Sequence, residues 1–241
     1  MESEGLTSLS ALARLSRISY HPQNGVIMNT IQNIYDSLAP DYDSRYREVR
    51  HFVEETLIGQ ILDEMEFGAI DRVLDIGCGT GNMITVAELP QSAYLGVDVS
   101  EGMLEVAREN YPDYEFLNID IANQKVGEFD LILSIFGQCN YIGLEDWAKT
   151  VSLNLADRGR FLSVMYSSGY KPDYINGEAK LYTADEVSSC LIEHGLPHTM
   201  LGLSFPVVGD GAMEFVQLHT VQEMMMRSGQ LDDCHYWVVW G

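Results

Sequence analysis

Apolar residues along the chain form short, nearly continuous runs that are separated by stretches of helical spacing. Runs such as Val73–Ile76 and Phe129–Phe136 are typical of strands in a parallel sheet, where both faces of the sheet are buried. Between such runs, residues 49–65 and 144–156 carry apolar side chains every three or four positions, which predicts amphipathic helices. The alternation of strand and helix predicts an α/β fold.

Further elements follow from the same pattern. Thr183 followed by Glu186 is a capping-box pattern for a helix start, and Gly195 is a typical helix end. Pro40 interrupts any helix that begins before it. A helix is also predicted over 101–110, before the break at Pro112. The predicted strands are 73–76, 93–98, 114–120, 129–136, 159–166, 200–208 and 235–240.

Three glycines follow the first strand at alternate positions: Gly77, Gly79 and Gly81. Because glycine has no Cβ, the chain can turn sharply there and lie close against a ligand. A helix is predicted directly after this loop, so its free N–H groups and the positive end of its dipole would point at the same ligand. A tight turn from strand to helix without any ligand would also require glycine.

An acid, Asp98, ends the second predicted strand, about 20 residues beyond the glycine loop. Folds that bind dinucleotides place a carboxylate there, where it accepts hydrogen bonds from ribose hydroxyls. The alternative is that Asp98 caps the helix that starts near Ser100. We favour the ligand interpretation, because the strand, the loop, the helix and the acid occur together.

Residues Val73–Gly81 resemble motif I of the class I S-adenosylmethionine-dependent methyltransferases, and residues 96–108 resemble the segment that follows it. The fingerprint of nicotinamide dehydrogenases fits less well, because Gly81 comes only two residues after Gly79. The resemblance covers residues 35–195. It implies a Rossmann-like seven-stranded, mostly parallel sheet with helices on both faces and an antiparallel last strand. It also implies S-adenosylmethionine as cofactor.

The resemblance further implies a set of cofactor-binding residues. Tyr35 and Tyr42 lie in a segment similar to one that folds over the cofactor, and tyrosine faces attract its sulfonium cation; simple packing is the alternative. Asp120 would accept from the adenine amine beside the apolar Ile121, and turn formation is the alternative for Asp120. The predicted residues are Tyr35, Tyr42, Asp75, Gly77, Cys78, Gly79, Asp98, Val99, Met103, Asp120, Ile121 and Ser134.

Composition narrows the choice of partners. The formal net charge is −22, so phosphate backbones and anionic membranes are repelled, and neither is expected as a partner. The four cysteines are far apart without a CxxC pair, so no metal site is predicted. With no secretory signal, this pattern predicts reduced thiols and a cytoplasmic location. No apolar run approaches the ~20 residues that a membrane span needs.

The 241 residues predict one α/β domain with additions. Residues 1–29 are predicted to be an N-terminal extension, and residues 30–241 the methyltransferase domain. Within that domain, residues 30–48 are predicted to be a lid segment and residues 209–230 a helical insertion.

The predicted function is methyl transfer from S-adenosylmethionine to an oxygen or nitrogen of a small molecule, by a monomer or homodimer. The alternatives are a protein or RNA methyltransferase and a non-catalytic scaffold that binds the cofactor. An Asn-Pro-Pro-Tyr type motif of base-methylating enzymes is absent at residues 137–141, which counts against RNA. The catalytic residue is unknown; the candidate bases are His51, His194, His198 and, as the best candidate, His219.

Overall fold

The apolar runs of the sequence form the strands of one sheet in the computed structural model. The structure describes residues 25–45, 58–65, 71–136, 138–169, 179–203, 234 and 236–241. The strands are β1 Val73–Ile76, β2 Tyr94–Asp98, β3 Glu115–Asn118, β4 Phe129–Ile135, β5 Leu155–Tyr166, β6 Thr199–Leu203 and β7 Tyr236–Trp240.

The sheet has seven strands in the order β3-β2-β1-β4-β5-β7-β6. β1 pairs in parallel with β2 and β4, β2 with β3, and β4 with β5. Only β7 runs antiparallel to its neighbours β5 and β6 among the described strands. The predicted fold class, a mostly parallel seven-stranded sheet with an antiparallel last strand, is therefore confirmed.

Helices connect the strands. Three of them span ten residues or more in the part of the chain from β2 onward, and a longer one precedes the sheet. The helices are α1 Gly25–Leu38, α2 Tyr42–Arg45, α3 Gly59–Glu64, α4 Met83–Val86, α5 Glu101–Asn110, α6 Gln138–Ile142, α7 Leu144–Asn154 and α8 Ala184–Glu193.

Successive residues of each central strand pack into two different cores, one on each face of the sheet. In β4, Ile132 belongs to the core that contains Trp147 of α7, whereas Leu131 and Leu133 belong to the core that contains Ile58, which directly precedes α3. This alternation is the period of two that a strand imposes on its side chains. Burial on both faces explains why the sequence shows continuous apolar runs.

Two strand boundaries inside the described ranges differ from the prediction by two residues or more. β3 ends at Asn118, because the following Asp120 accepts a hydrogen bond from the backbone N–H of Ala122 at 3.0 Å and so forms a turn. β5 begins at Leu155 rather than 159, and its pairing with β4 shifts register between Phe129 and Leu131.

The predicted domain boundaries lie partly outside the described residues. α1 begins at Gly25 and so crosses residue 29, where the extension was predicted to end. The proposed insertion 209–230 falls entirely in a part of the chain that the structure does not describe. Of the described helices, none is long and apolar enough to span a membrane.

Candidate active site

A cleft lies at the carboxyl ends of β1, β2 and β4, beneath α1 and α2. Its empty space is about 470 Å³, including space that is open to solvent. Seven of the predicted cofactor-binding residues line it: Tyr35, Tyr42, Gly77, Gly79, Asp98, Val99 and Met103. This edge of a parallel sheet is where open α/β folds bind ligands.

The glycine loop forms the floor of the cleft. Gly77, Gly79 and Gly81 all have positive φ, at 70°, 53° and 85°, a region that side chains with a Cβ rarely adopt. A Cβ on Gly77 would also overlap the side chain of Gln138. The backbone N–H groups of Gly77 and Cys78 donate to the carbonyl of Val97, at 2.7 and 3.1 Å, which ties the loop to β2.

Asp98 joins the two sides of the cleft floor. Its Oδ2 accepts from the N–H of Gly79 at 3.0 Å, and its Oδ1 accepts from the N–H of Ser100 at 2.9 Å. Burial raises the pKa of this carboxyl above its usual value, and these backbone hydrogen bonds oppose the rise. Each carboxylate oxygen can accept a second hydrogen bond, so Asp98 can still bind hydroxyl groups that enter the cleft.

Three tyrosines form the wall opposite the glycine loop. The ring of Tyr35 lies 6.2 Å from the rings of both Tyr42 and Tyr141, centroid to centroid. Pro40 sits in a 3-10 turn between α1 and α2, so the chain bends and both Tyr35 and Tyr42 face the cleft. Such rings can contact a cation once water is excluded.

Asp75, Cys78 and Ser134 are buried and do not line the described cleft. Asp75 accepts from the hydroxyl of Tyr94 at 2.8 Å, and burial raises its pKa to about 7. Ser134 accepts from Nε1 of Trp147 at 3.1 Å. Their cofactor roles stay predictions.

The structure does not bring Asp120 and Ile121 to the cleft either, as far as its described residues show. Asp120 is exposed and its carboxylate closes the turn after β3, which was the alternative weighed for it. Ile121 is 3% exposed and packs in the core beside α7.

Five lining residues were not among the predicted cofactor-binding residues: Ile31, Ile135, Phe136, Gln138 and Tyr141. Four of them lie at or just after the end of β4, so the rule that ligands bind at strand ends could have found them. Ile31 precedes Tyr35 by four residues on α1, and such pairs share one helix face.

No described residue that lines the cleft is a histidine. His194 directly follows α8, where its Nδ1 donates to the carbonyl of Cys190 at 2.9 Å if that nitrogen carries the proton. Nε2 of His198 lies 3.1 Å from Oγ of Ser188. His51 and His219, the best candidate base, lie outside the described residues.

Glu145, Cys190 and His194 form a cluster between α7 and α8. Their potential ligand atoms lie within 4.8 Å of one another. Glu145 is exposed and pairs with Nε2 of His194 at 3.3 Å. Both ring nitrogens of His194 therefore have a partner within the protein, the carbonyl of Cys190 and the carboxylate of Glu145.

Comparison with known proteins points to one type of domain. Residues 73–154 match a methyltransferase domain family. An uncharacterised protein of Methanocaldococcus jannaschii is 31% identical over 147 residues, 60% of this chain and 54% of that protein. A trans-aconitate 2-methyltransferase of Methylobacterium nodulans is 42% identical over 65 residues, 26% of this chain and 25% of that enzyme.

The chain thus spans about half the length of the first of these relatives and a quarter of the second. A crystal structure of a methyltransferase from Thermotoga maritima matches more of this chain than either sequence relative does. It has a TM-score of 0.61 at 16% identity and covers 87% of this chain and 98% of its own. At that identity the likeness concerns the fold alone.

Proposed function

We propose that the protein is a class I methyltransferase that transfers a methyl group from S-adenosylmethionine to an oxygen or nitrogen of a small molecule. The match of residues 73–154 to a methyltransferase domain family supports this proposal. The observation that carries the proposal is the cleft itself. Its floor is a loop of positive-φ glycines, and a buried carboxylate, Asp98, projects into it.

The residues of the cleft fit the cofactor. Asp98 has acceptor capacity for ribose hydroxyls, and Val99 and Met103 supply apolar contact beside it. Tyr35 and Tyr42 line the cleft with aromatic rings that would attract a cationic sulfur. When bound, the cofactor supplies a methyl group on a positively charged sulfur, which is already electrophilic.

The contribution of the protein to methyl transfer is therefore alignment rather than covalent chemistry. Tyr35 and Tyr42 would shield the bound cofactor from water, and the glycine loop and Asp98 would hold it in place. An acceptor hydroxyl or ammonium group must lose a proton, so a nearby base would help. The base is unknown, and His219, which lies outside the described residues, remains a weak candidate.

A row of aromatic side chains begins at Phe136, which lines the cleft. The ring of Phe136 lies 5.6 Å from that of Tyr236, which lies 5.6 Å from that of Tyr166. This row favours an organic acceptor with a flat or cationic group. The likeness of a short segment to an enzyme named for trans-aconitate also supports a small acceptor.

We extend the proposal to partners and location. A net charge of −22 argues against nucleic acid and anionic membranes, so the partner is the small-molecule acceptor. The cysteines Cys78, Cys139, Cys190 and Cys234 are buried free thiols, in keeping with a cytoplasmic location. The chain would act as a monomer or homodimer, which sedimentation would test.

Calorimetry with S-adenosylhomocysteine tests the cofactor. Binding with a micromolar or lower Kd supports the enzyme, and no binding would refute it. Release of S-adenosylhomocysteine is then measured with panels of small amines and hydroxyl compounds, peptides and RNA. Turnover only with peptides or RNA would replace the small-molecule proposal with the protein or RNA alternative.

A further inference from the structure

The lid tyrosines are each followed by an aspartate that does not line the cleft. Tyr35 precedes Asp36 at the end of α1, and Tyr42 precedes Asp43 at the start of α2. The lining of the cleft includes both tyrosines and neither aspartate. The contacts of the two carboxylates therefore lie outside the lining of the cleft.

Asp36 binds the start of α5. Its Oδ1 accepts from Oγ of Ser100 at 2.6 Å and from the backbone N–H of Gly102 at 3.0 Å. The first N–H groups of a helix have no partner within the helix, so this carboxylate caps α5 from a different element. Ser100 also accepts from the N–H of Met103 at 3.1 Å, and the two acceptors share the helix start.

The backbones of the lid and α5 are in close contact at the same point. A Cβ on Gly102 would lie 3.0 Å from Cα and 3.2 Å from the carbonyl oxygen of Asp36. A residue with a Cβ would therefore require the lid backbone to shift by a few tenths of an ångström.

Asp43 binds the glycine loop. Its Oδ1 accepts from Oγ1 of Thr80 at 2.7 Å and from Nδ2 of Asn82 at 3.0 Å. Thr80 is 1% exposed and lies between two of the loop glycines. Hydrogen bonds to a carboxylate are stronger than those between neutral groups.

We propose that Asp36 and Asp43 are positioning residues that latch the lid onto the two loops forming the cleft floor, and so set how long the cofactor stays bound. The inference rests on the proposed function for its ligand. The loop after β1 carries Gly79 and the partners of Asp43, whereas the loop after β2 carries Val99 and the partners of Asp36. Opening of the lid would break both latches.

A pair of substitutions at the Asp43 latch tests the proposal. Asn82→Asp places two carboxylates against each other, and adding Asp43→Asn exchanges donor and acceptor and restores the hydrogen bond. Two rates are measured: amide hydrogen exchange of residues 31–44 without ligand, and dissociation of S-adenosylhomocysteine. We expect Asn82→Asp to raise both rates about tenfold or more, and the double variant to return both to within about threefold of wild type.

Asn123→Asp is the matched control. Nδ2 of Asn123 donates to Oδ1 of Asp146 at 2.8 Å, away from the lid, so this change also places two carboxylates against each other, at a more exposed position. Its lid exchange and its dissociation rate should equal those of the wild type. Tenfold faster lid exchange in this control would overturn the proposal, since it would show that the lid responds to general destabilisation.

The Asp36 latch is tested by a variant that adds no charge. Gly102→Ala inserts a methyl group against the lid backbone and should accelerate lid exchange and ligand dissociation. Gly59→Ala, where an added Cβ would meet nothing within 4 Å, should accelerate neither. This pair decides the question if Asn82→Asp does not fold.

Each remaining outcome has one meaning. Lid exchange at the wild-type rate in Asn82→Asp and Gly102→Ala, or a double variant no slower than Asn82→Asp, would overturn the latch. Faster exchange with unchanged dissociation would overturn its control of cofactor residence. If the wild type did not bind S-adenosylhomocysteine, the proposed function would fail, whereas the exchange rates would still decide whether the latch exists.

Discussion

Asp75 and Asp98 are buried carboxylates on neighbouring strands with different surroundings. Asp98 accepts two backbone N–H groups and lines the cleft, whereas the hydroxyl of Tyr94 binds Asp75 within the sheet. Burial raises the pKa of both, and the charge of Asp98 further raises that of Asp75. Residue type alone does not separate these roles.

Asp98→Ala should weaken S-adenosylhomocysteine binding more than tenfold, or ~1.4 kcal/mol, because a charged acceptor in the cleft is lost. Calorimetry measures the Kd. Asp113→Ala, which removes an exposed acid beyond α5, is the control and should leave the Kd unchanged. An Asp98→Ala protein with wild-type affinity would remove Asp98 from the site.

Asp75→Asn should remove a pH dependence of stability. The folded-state pKa of Asp75 is about 7, whereas in the unfolded chain it has the ordinary aspartate value of 3.8. The wild type therefore loses stability as pH rises from about 4 to about 7. In this range Asp75 is ionised and hydrated in the unfolded chain, and folding requires it to take up a proton. The unfolding free energy of the variant minus that of the wild type should therefore increase by about 3 kcal/mol from pH 5 to pH 8.

Urea denaturation of both proteins at the two pH values measures this change. Asparagine keeps an oxygen that can accept from Tyr94, so packing is conserved. A constant difference between the two proteins from pH 5 to pH 8 would show that Asp75 keeps the same protonation state in the folded and unfolded protein.

At the scale of elements, caps and turns determine where helices begin and end. Thr183 accepts from the N–H of Glu186 at 3.3 Å, and Glu186 accepts from the N–H of Thr183 at 2.8 Å, so the predicted capping box of α8 is confirmed. A cap also joins the lid to α5, because Asp36, which lies outside that helix, accepts from the N–H of Gly102 in its first turn.

Thr183→Ala should lower the free energy of unfolding by about 1 kcal/mol at pH 7. The backbone N–H of Thr183, which the substitution keeps, and its hydroxyl, which the substitution removes, both lower the pKa of Glu186. The stabilisation from the hydroxyl bond is therefore present above the usual glutamate pKa and lost in acid. The cost of the substitution should therefore shrink at low pH. Ser189→Ala, an exposed position within α8, is the control and should change stability by less than about 0.5 kcal/mol.

At the scale of the whole molecule, the net charge of −22 destabilises the folded state. Like charges on a folded surface lie closer together than in the unfolded chain, so their repulsion favours unfolding. Two apolar cores, one on each face of the sheet, oppose this repulsion.

Thermal stability should accordingly rise with ionic strength. Raising sodium chloride from about 10 mM to about 0.15 M shortens the screening length from about 30 to about 8 Å. A gain of about 1 kcal/mol would raise Tm by about 2 to 4 °C. Calorimetric scans measure the shift, and a Tm that fell with added salt would show that attractive ion pairs outweigh the repulsion.

The sequence by itself determined the order of elements, the glycine loop, the acid that ends β2 and the cap of α8. These features depend on the local period of side chains and on backbone conformation, which short segments largely fix. The end of β3 and the start of β5 were predicted less accurately. The turn at Asp120 and the register shift beside Leu131 depend on local hydrogen bonding that composition does not show.

Only the tertiary structure decided which of these residues meet in the cleft. Asp98 lines it and Asp120 does not, although both follow apolar strand residues. Gln138 lies against Gly77, and Asp36 reaches Ser100 across a separation of 64 residues. Such contacts depend on how whole elements pack against each other, and no local pattern of side chains encodes that packing.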